Sequence, residues 1–351
     1  MTPHNDGADL DTGPIEVRTT IPNTIAPQSG SFTTSFTTAE SNVPPGHPKS
    51  ALPTARELGL ARKPRPQYRW RKIIRQLSGD TSNFGDSAGA SMPMAFTDRA
   101  IRPISGSFSI AVLSLKGGVG KTTTAVSLGA TLASMRGDRV IAVDANPDLG
   151  TLAQRGPSET RLTVRDLLAD QHVDRYSDVR RYTSQSSSRL ELLASERDPA
   201  VSEAFSEADY RAVHDILQRF YNIILTDCGT GLTHSAMAGV LDEADALVLV
   251  LSPAIDSARS ALATLDWLQH HSYARLVPNT RAVISCARPG PMPVDISQLS
   301  QHFLPRVHSV RVIPYDRHLA EGAEISLELM ARKTRQAYAD LATSIAQNFA
   351  K

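Results

Sequence analysis

Read for its alternation of apolar and polar positions, the chain changes character near Phe108. Beyond that point short apolar runs alternate with longer stretches of helical spacing. The runs SIAVLSL (109–115), RVIAVDA (139–145), RLELLAS (189–195), YNIILTDCG (221–229), ALVLVLS (246–252), RAVISCA (281–287) and SVRVIP (309–314) predict strands. Helices are predicted over Thr122–Met135, Leu162–Asp170, Asp209–Phe220, a long stretch from 253 to 269, and Arg332–Phe349. Strands that alternate with helices form βαβ units, which need a mostly parallel sheet covered on both faces. The expected class is therefore α/β. No repeat divides the chain. Trp267, Leu265 and Leu268 fall on one predicted helix and read as core rather than as a binding stripe.

Before Phe108 the pattern is lost. Residues 1–61 are rich in Ser, Thr and Pro and hold few large apolar side chains. Such a segment buries too little surface to offset its ordering entropy, so disorder is expected. Residues 62–75, RKPRPQYRWRKIIR, carry seven Arg or Lys and no acid, interleaved with Tyr68, Trp70, Ile73 and Ile74. Helical spacing of Trp70, Ile73, Ile74 and Leu77 predicts a short basic amphipathic helix. Anionic lipid headgroups, DNA phosphates and an acidic partner protein would each suit it, and a solubilising linker is the plain alternative. Residues 78–107 return to Ser, Gly and Pro and read as linker. The organisation expected is a tail (1–61), a basic segment with linker (62–107) and a folded domain (108–351).

Composition changes this picture little. Lys plus Arg number 37 against 36 Asp plus Glu, so no global charge bias points to nucleic acid or an anionic membrane. Cys228 and Cys286 are the only cysteines. Both lie in strand-like runs and read as buried thiols, not a disulfide. No apolar run approaches the roughly 20 residues of a membrane span, and the N-terminus lacks the pattern of a signal peptide. A cytoplasmic protein is expected, with the inner face of the membrane open to it through the basic segment. Histidines show no metal-ligand spacing, and GxSxG is absent.

Candidate chemistry concentrates at residues 116–123, KGGVGKTT. A strand precedes it and a helix follows. Gly117, Gly118 and Gly120 let the backbone around Val119 curl with its N–H groups inward, where side chains would obstruct them. The helix that begins there offers its positive end to the same anion. In this arrangement Lys121 reaches the β- and γ-phosphates of a nucleotide, Thr122 ligates Mg²⁺, and Thr123 completes the loop. The general phosphate-loop pattern asks for Gly at 115, and this chain has Leu115.

With Lys116 directly before the glycines, KGGVGKTT resembles the deviant Walker A box of the MinD/ParA ATPases, over roughly residues 108–349. The resemblance implies ATP with Mg²⁺, and an ATP-dependent homodimer in which Lys116 reaches the partner's nucleotide. VDANPDLGTL (143–152) is similar to the family's Asp-x-Asp-Pro motif. Asp144 matches its first acid, whereas Asn146 stands where the second acid positions the attacking water. An amide orients water but accepts no proton, so slow hydrolysis is implied, unless Asp148 substitutes. YNIILTDCG resembles Walker B and brings Asp227 to a strand's carboxyl end, to hold Mg²⁺ through water. VIPYDRHLAEGAEI (312–325) resembles the segment beside the adenine, which makes Pro314, Tyr315 and Asp316 its candidates. Ser285 and Cys286 stand where many relatives have an adenine-reading Asn.

Three stretches, WRK (70–72), VDANPDLGTLAQR (143–155) and TDCGTGLTHSAM (226–237), are similar to the members associated with ESX (type VII) secretion systems. That resemblance implies a nucleotide-switched accessory whose partner is a secretion-system component, engaged through 62–75. Two alternatives stand beside it: a ParA-type ATPase that positions DNA or cargo, and an ATP-dependent small-molecule synthetase. The last predicted helix lacks a MinD-type membrane anchor, and Arg332, Lys333 and Arg335 read as a solvated helix start.

Overall fold

A computed structural model describes residues 103–146, 150–195, 205–232 and 234–349. The tail, the basic segment 62–75, most of the linker and Asp148 lie outside these residues. The expectations placed on them are therefore not addressed by the fold.

Among the described residues eight strands form one sheet, in the order β3-β4-β2-β5-β1-β6-β7-β8. They are β1 (Phe108–Leu113), β2 (Val140–Ala145), β3 (Thr183–Gln185), β4 (Glu191–Leu193), β5 (Ile223–Cys228), β6 (Ala246–Leu251), β7 (Thr280–Ser285) and β8 (Ser309–Ile313). Every pairing is parallel except that of β3 with β4. Side chains of a strand point alternately to its two faces, and β1 shows the consequence. Ile110 and Val112 join one core, Ala111 and Leu113 the other. Both faces of the central strands are thus buried, which is why their sequences read as unbroken apolar runs.

One face is covered by α1 (Lys121–Met135) and α9 (Arg332–Ala346), whose buried residues share a core with Ile110 and Val112. Contact from both sides buries Thr124 through Ala133 without interruption. The other face is covered by α2 (Val164–Ala169), α4 (Glu207–Leu217), α5 (Ser235–Glu243), α6 (Ile255–His270) and α7 (Ile296–Phe303). Two single turns, α3 (Tyr176–Val179) and α8 (Arg317–Ala320), complete the helices used here. Leu265 and Leu268 of α6 are fully buried, as expected of core. Trp267 packs at the margin and stacks on His271, with ring centroids 4.2 Å apart.

The structure adds elements that apolar periodicity did not predict. The edge strand β3 is only Thr-Ser-Gln, and α5 and α7 lie in stretches not read as helix. The predicted third strand shortens to Glu191–Leu193, and it contains a fully buried acid. Glu191 is held there by the hydroxyls of Tyr221 at 2.5 Å, Thr183 at 2.9 Å, and Tyr176. These partners come from three separate elements. A carboxylate inside an apolar run is tolerated only because they converge on it.

Strand order fixes where a ligand can sit. From β1 the chain crosses over β5 to reach β2, and from β5 it crosses over β1 to reach β6. The order reverses around β1 and β5, and a crevice opens outside the carboxyl ends of such strands. The loops after β1, β2 and β5 all emerge there.

Candidate functional site

The loop after β1 runs from Ser114 to Gly120 and enters α1 at Lys121. Its curl depends on left-handed backbone at Gly118 (φ 73°) and Gly120 (φ 95°). A residue with a side chain rarely adopts such angles. Val119, between them, turns its side chain into the core beneath α1 and pins the loop. Gly117 and Gly118 are exposed, and a methyl group on either would meet no atom within 4 Å. The outer side of the curl is therefore open to a ligand. The inner side is tight at Gly120, where a methyl would come within 3.1 Å of Ser285 Oγ at the end of β7. The first turn of α1 presents Lys121, Thr122 and Thr123, all partly exposed. Thr122 Oγ1 lies 3.1 Å from Thr151 Oγ1, which ties this turn to the segment after β2.

Asp144 and Asp227 face one another across neighbouring strands, paired in register on β2 and β5. Both are buried, at 1% and 2% exposure. The Asp144 carboxylate accepts from Asn146 N at 3.1 Å and from Leu152 N at 3.0 Å. Burial pushes Asp144 up to about 7, with the charge of Asp227 adding to the rise and those two N–H groups opposing it. Burial likewise raises Asp227 to about 6, against Lys121, the Thr122 hydroxyl and the Arg155 guanidinium. Asp227 Oδ1 is buried and makes no hydrogen bond. Two inward acids that disfavour their own charge, one with an unsatisfied oxygen, form a donor set suited to a hard divalent cation.

Lys116 is placed differently from the other loop residues. Its backbone N–H donates to Ser114 Oγ at 3.1 Å, and its ammonium lies 3.1 Å from Asp256 Oδ2 in the first turn of α6. It thus points along the surface to another part of its own chain. The hydrogen bond from Lys116 is the main reason the Asp256 carboxyl sits below its usual range. The adjacent Ile255 is 61% exposed, an apolar side chain left uncovered beside this ion pair.

Pro314 and Tyr315 follow β8 and are partly exposed. The Asp316 carboxylate is engaged within the fold. Its Oδ1 accepts from His318 N at 2.9 Å and Leu319 N at 3.3 Å, and its Oδ2 from Ala331 N at 2.7 Å. Burial alone would raise this acid, but the N–H of Ala331, the Thr334 hydroxyl and the cap N–H groups outweigh it and hold the pKa down. The side chain caps α8 and brackets it to the start of α9.

Gly150, Thr151 and Arg155 share the segment after β2, and a methyl at Gly150 would overlap the Ser195 hydroxyl and the Asp144 carboxylate. Asp256 comes from α6 and Ser285 from the end of β7. The contacts these residues make at the site are tertiary, and local spacing gives no sign of them. The Cys228 thiol beside Asp227 is kept neutral by burial, and Cys286 is a second free, buried thiol.

A family model described as AAA domain matches residues 108–276. The ESX-1 secretion-associated protein EspI of Mycobacterium tuberculosis is 37% identical over 285 residues, which is 81% of this chain and 42% of EspI. The chain therefore spans less than half the length of that relative. The ParA family ATPase from Chlorobium tepidum superposes with a TM-score of 0.58 at 20% identity, covering 68% of this chain and 98% of that one. The fold is that of a ParA/MinD-like P-loop protein. The fold is shared as well with the septum site-determining protein MinD of Pyrococcus horikoshii, solved with Mg-ADP. It aligns with a TM-score of 0.55 at 23% identity, over 67% of this chain and 94% of that one. Among the described residues no helix is long and apolar enough to cross a membrane.

Proposed function

We propose that this chain is an ATP-binding switch that pairs with a second copy of itself on Mg-ATP. In this reading it hydrolyses the nucleotide slowly and acts as an accessory of a type VII secretion system. The observation that carries the nucleotide reading is the meeting of three features at the carboxyl ends of β1, β2 and β5. They are an open glycine curl, a hydroxyl–lysine helix start, and two buried acids that repel one another.

In this reading the loop N–H groups and Lys121 hold the phosphates. Thr122, and Asp227 through water, hold Mg²⁺, with Asp144 beside them. The cation would screen charge on the phosphates as the terminal one departs. The protein's own part is positional. Gly118 and Gly120 aim the N–H groups, and Val119 and Ser285 fix the curl from behind. Asn146, at the mouth of β2, can orient a water by hydrogen bonding but takes no proton from it, which favours a long-lived ATP state. Pro314 and Tyr315 flank the place of the base.

Dimerisation is supported by Lys116, which is partly exposed, and by Ile255, an exposed apolar side chain next in sequence to Asp256, the ion-pair partner of Lys116. For Lys116 to reach a partner's nucleotide it must leave Asp256. The secretion role follows the likeness to EspI, whose name ties that protein to ESX-1, and residues 62–75 are the candidate contact. Sedimentation of the full chain with no nucleotide, with ADP, and with Mg-ATP tests the switch, with phosphate release followed in parallel. A dimer confined to Mg-ATP, with slow release, is expected. A monomer in all three states that binds no nucleotide would refute it. Co-purification with membrane components of the secretion machinery, lost on deletion of 62–75, tests the partner. ATP-dependent binding to duplex DNA that weakens steeply with salt would instead favour the DNA-positioning role.

A further inference from the structure

The segment after β2 closes with a short 3₁₀ turn, Leu152–Arg155. Leu152 is fully buried and anchors the turn to the core under α1. Thr151, just before it, touches the Thr122 hydroxyl of the phosphate loop. The carbonyl of Arg155 accepts from Ile325 N at 2.9 Å, so the segment after Asp316 crosses directly over the turn. At Gly322 (φ 70°) that segment lies beside the turn, where a methyl group would make ordinary van der Waals contact with Arg155 Nη1 at 3.8 Å. The guanidinium is thereby packed between two segments and is not a side chain reaching freely into solvent.

Its Nη1 is buried and makes no hydrogen bond. Burial lowers the pKa of Arg155, and the charge of Asp227 opposes that fall. Yet Asp227 Oδ1 is also without a partner. A buried guanidinium donor with no acceptor is unfavourable unless a ligand supplies one. The nearby acid will not supply it once a divalent cation has taken that carboxylate. What the site then lacks is an anion with several oxygens, next to Thr122.

We propose that Arg155 is a further cation of the nucleotide site, donating Nη1 to a phosphate oxygen of the bound nucleotide. The proposal rests on the reading of this site as one for Mg-ATP. It assigns the 3₁₀ turn a role that neither the phosphate loop nor the paired acids cover. Phosphate would draw the turn toward α1, and the segment 322–325 would be carried with it through the bond from Ile325. Arg155 would then connect the phosphate side of the site to the stretch that flanks the base.

Calorimetry on the full chain with Mg-ATP, and separately with magnesium tripolyphosphate, which has no base, tests this. The variants are Arg155→Met, Arg155→Lys and Lys121→Ala. Arg155→Met is expected to weaken both ligands at least tenfold and by a similar factor, because the lost contact is to phosphate. Arg155→Lys, which keeps the charge, is expected to recover most of that loss. Arg155→Met within twofold of wild type for ATP, while Lys121→Ala abolishes binding, overturns the role of Arg155 and leaves the nucleotide reading intact. Equal losses in Arg155→Met and Arg155→Lys, together with lower nucleotide-free melting temperatures in both, place Arg155 in the fold instead. That result also overturns the proposal. Wild-type protein that binds neither ligand overturns the nucleotide reading and the proposal together.

Discussion

Replacing Asp227 with Asn should stabilise the nucleotide-free protein at alkaline pH while removing its response to Mg-ATP. The folded state raises this acid from 3.8 to about 6. A raised acid contributes stability below its unfolded pKa, and that contribution is lost as pH climbs through the folded value. At pH 8 the wild-type carboxylate is therefore ionised against the preference of its surroundings. The rise of about two pH units, at roughly 1.4 kcal/mol each, makes that cost about 3 kcal/mol at most. Asn has nearly the same shape and carries no charge. Urea denaturation in the presence of a chelator, at pH 4.5 and pH 8, measures the effect. We expect the variant to gain about 1–3 kcal/mol at pH 8 and about a third as much at pH 4.5, where the folded acid is protonated and only the unfolded acid is largely ionised. The same variant should show no Mg²⁺-dependent stabilisation by ATP. A variant less stable than wild type at pH 8 would refute the electrostatic account of the paired acids. An equal gain at both pH values would do the same, because packing and not charge would then be the cause.

Other outcomes follow from single contacts. Lys116→Ala should leave ATP binding in place but abolish the ATP-dependent dimer in sedimentation. Asp256→Ala, which frees Lys116 from its own chain, should instead bring the dimer to lower ATP concentration. Asn146→Asp restores a proton acceptor beside the phosphates and should raise the rate of phosphate release about tenfold or more. Gly150→Ala forces a methyl into the Ser195 hydroxyl and the Asp144 carboxylate. It should lower stability by about 2–3 kcal/mol in denaturant titration and weaken Mg-ATP.

The sequence alone determined the elements whose physics is local. Central strands buried on both faces must be apolar throughout, so β1, β2, β5, β6 and β7 were legible as runs. A backbone that curls around an anion needs glycine, and the helix behind it needs a lysine and a hydroxyl at its start. KGGVGKTT could therefore be read before any fold was known. Asp144 and Asp227 were legible as acids at strand ends. Their mutual repulsion was not, because it arises from the β2–β5 pairing, which joins residues far apart in the chain. The strand β3 escaped notice because edge pairing leaves its composition unconstrained. Glu191 could not be recognised as a buried acid until Tyr176, Thr183 and Tyr221 were seen to converge on it. The sequence places Asp316 beside Pro314 and Tyr315, but only the tertiary contacts with His318, Leu319 and Ala331 show that its carboxylate holds α8 and α9 together. Lys116 is the clearest division between the two levels. Its place before the glycines is written in the sequence, but its ion pair with Asp256 exists only because β6 lies beside β1. That adjacency brings the first turn of α6 to the phosphate loop, and nothing local to either segment requires it.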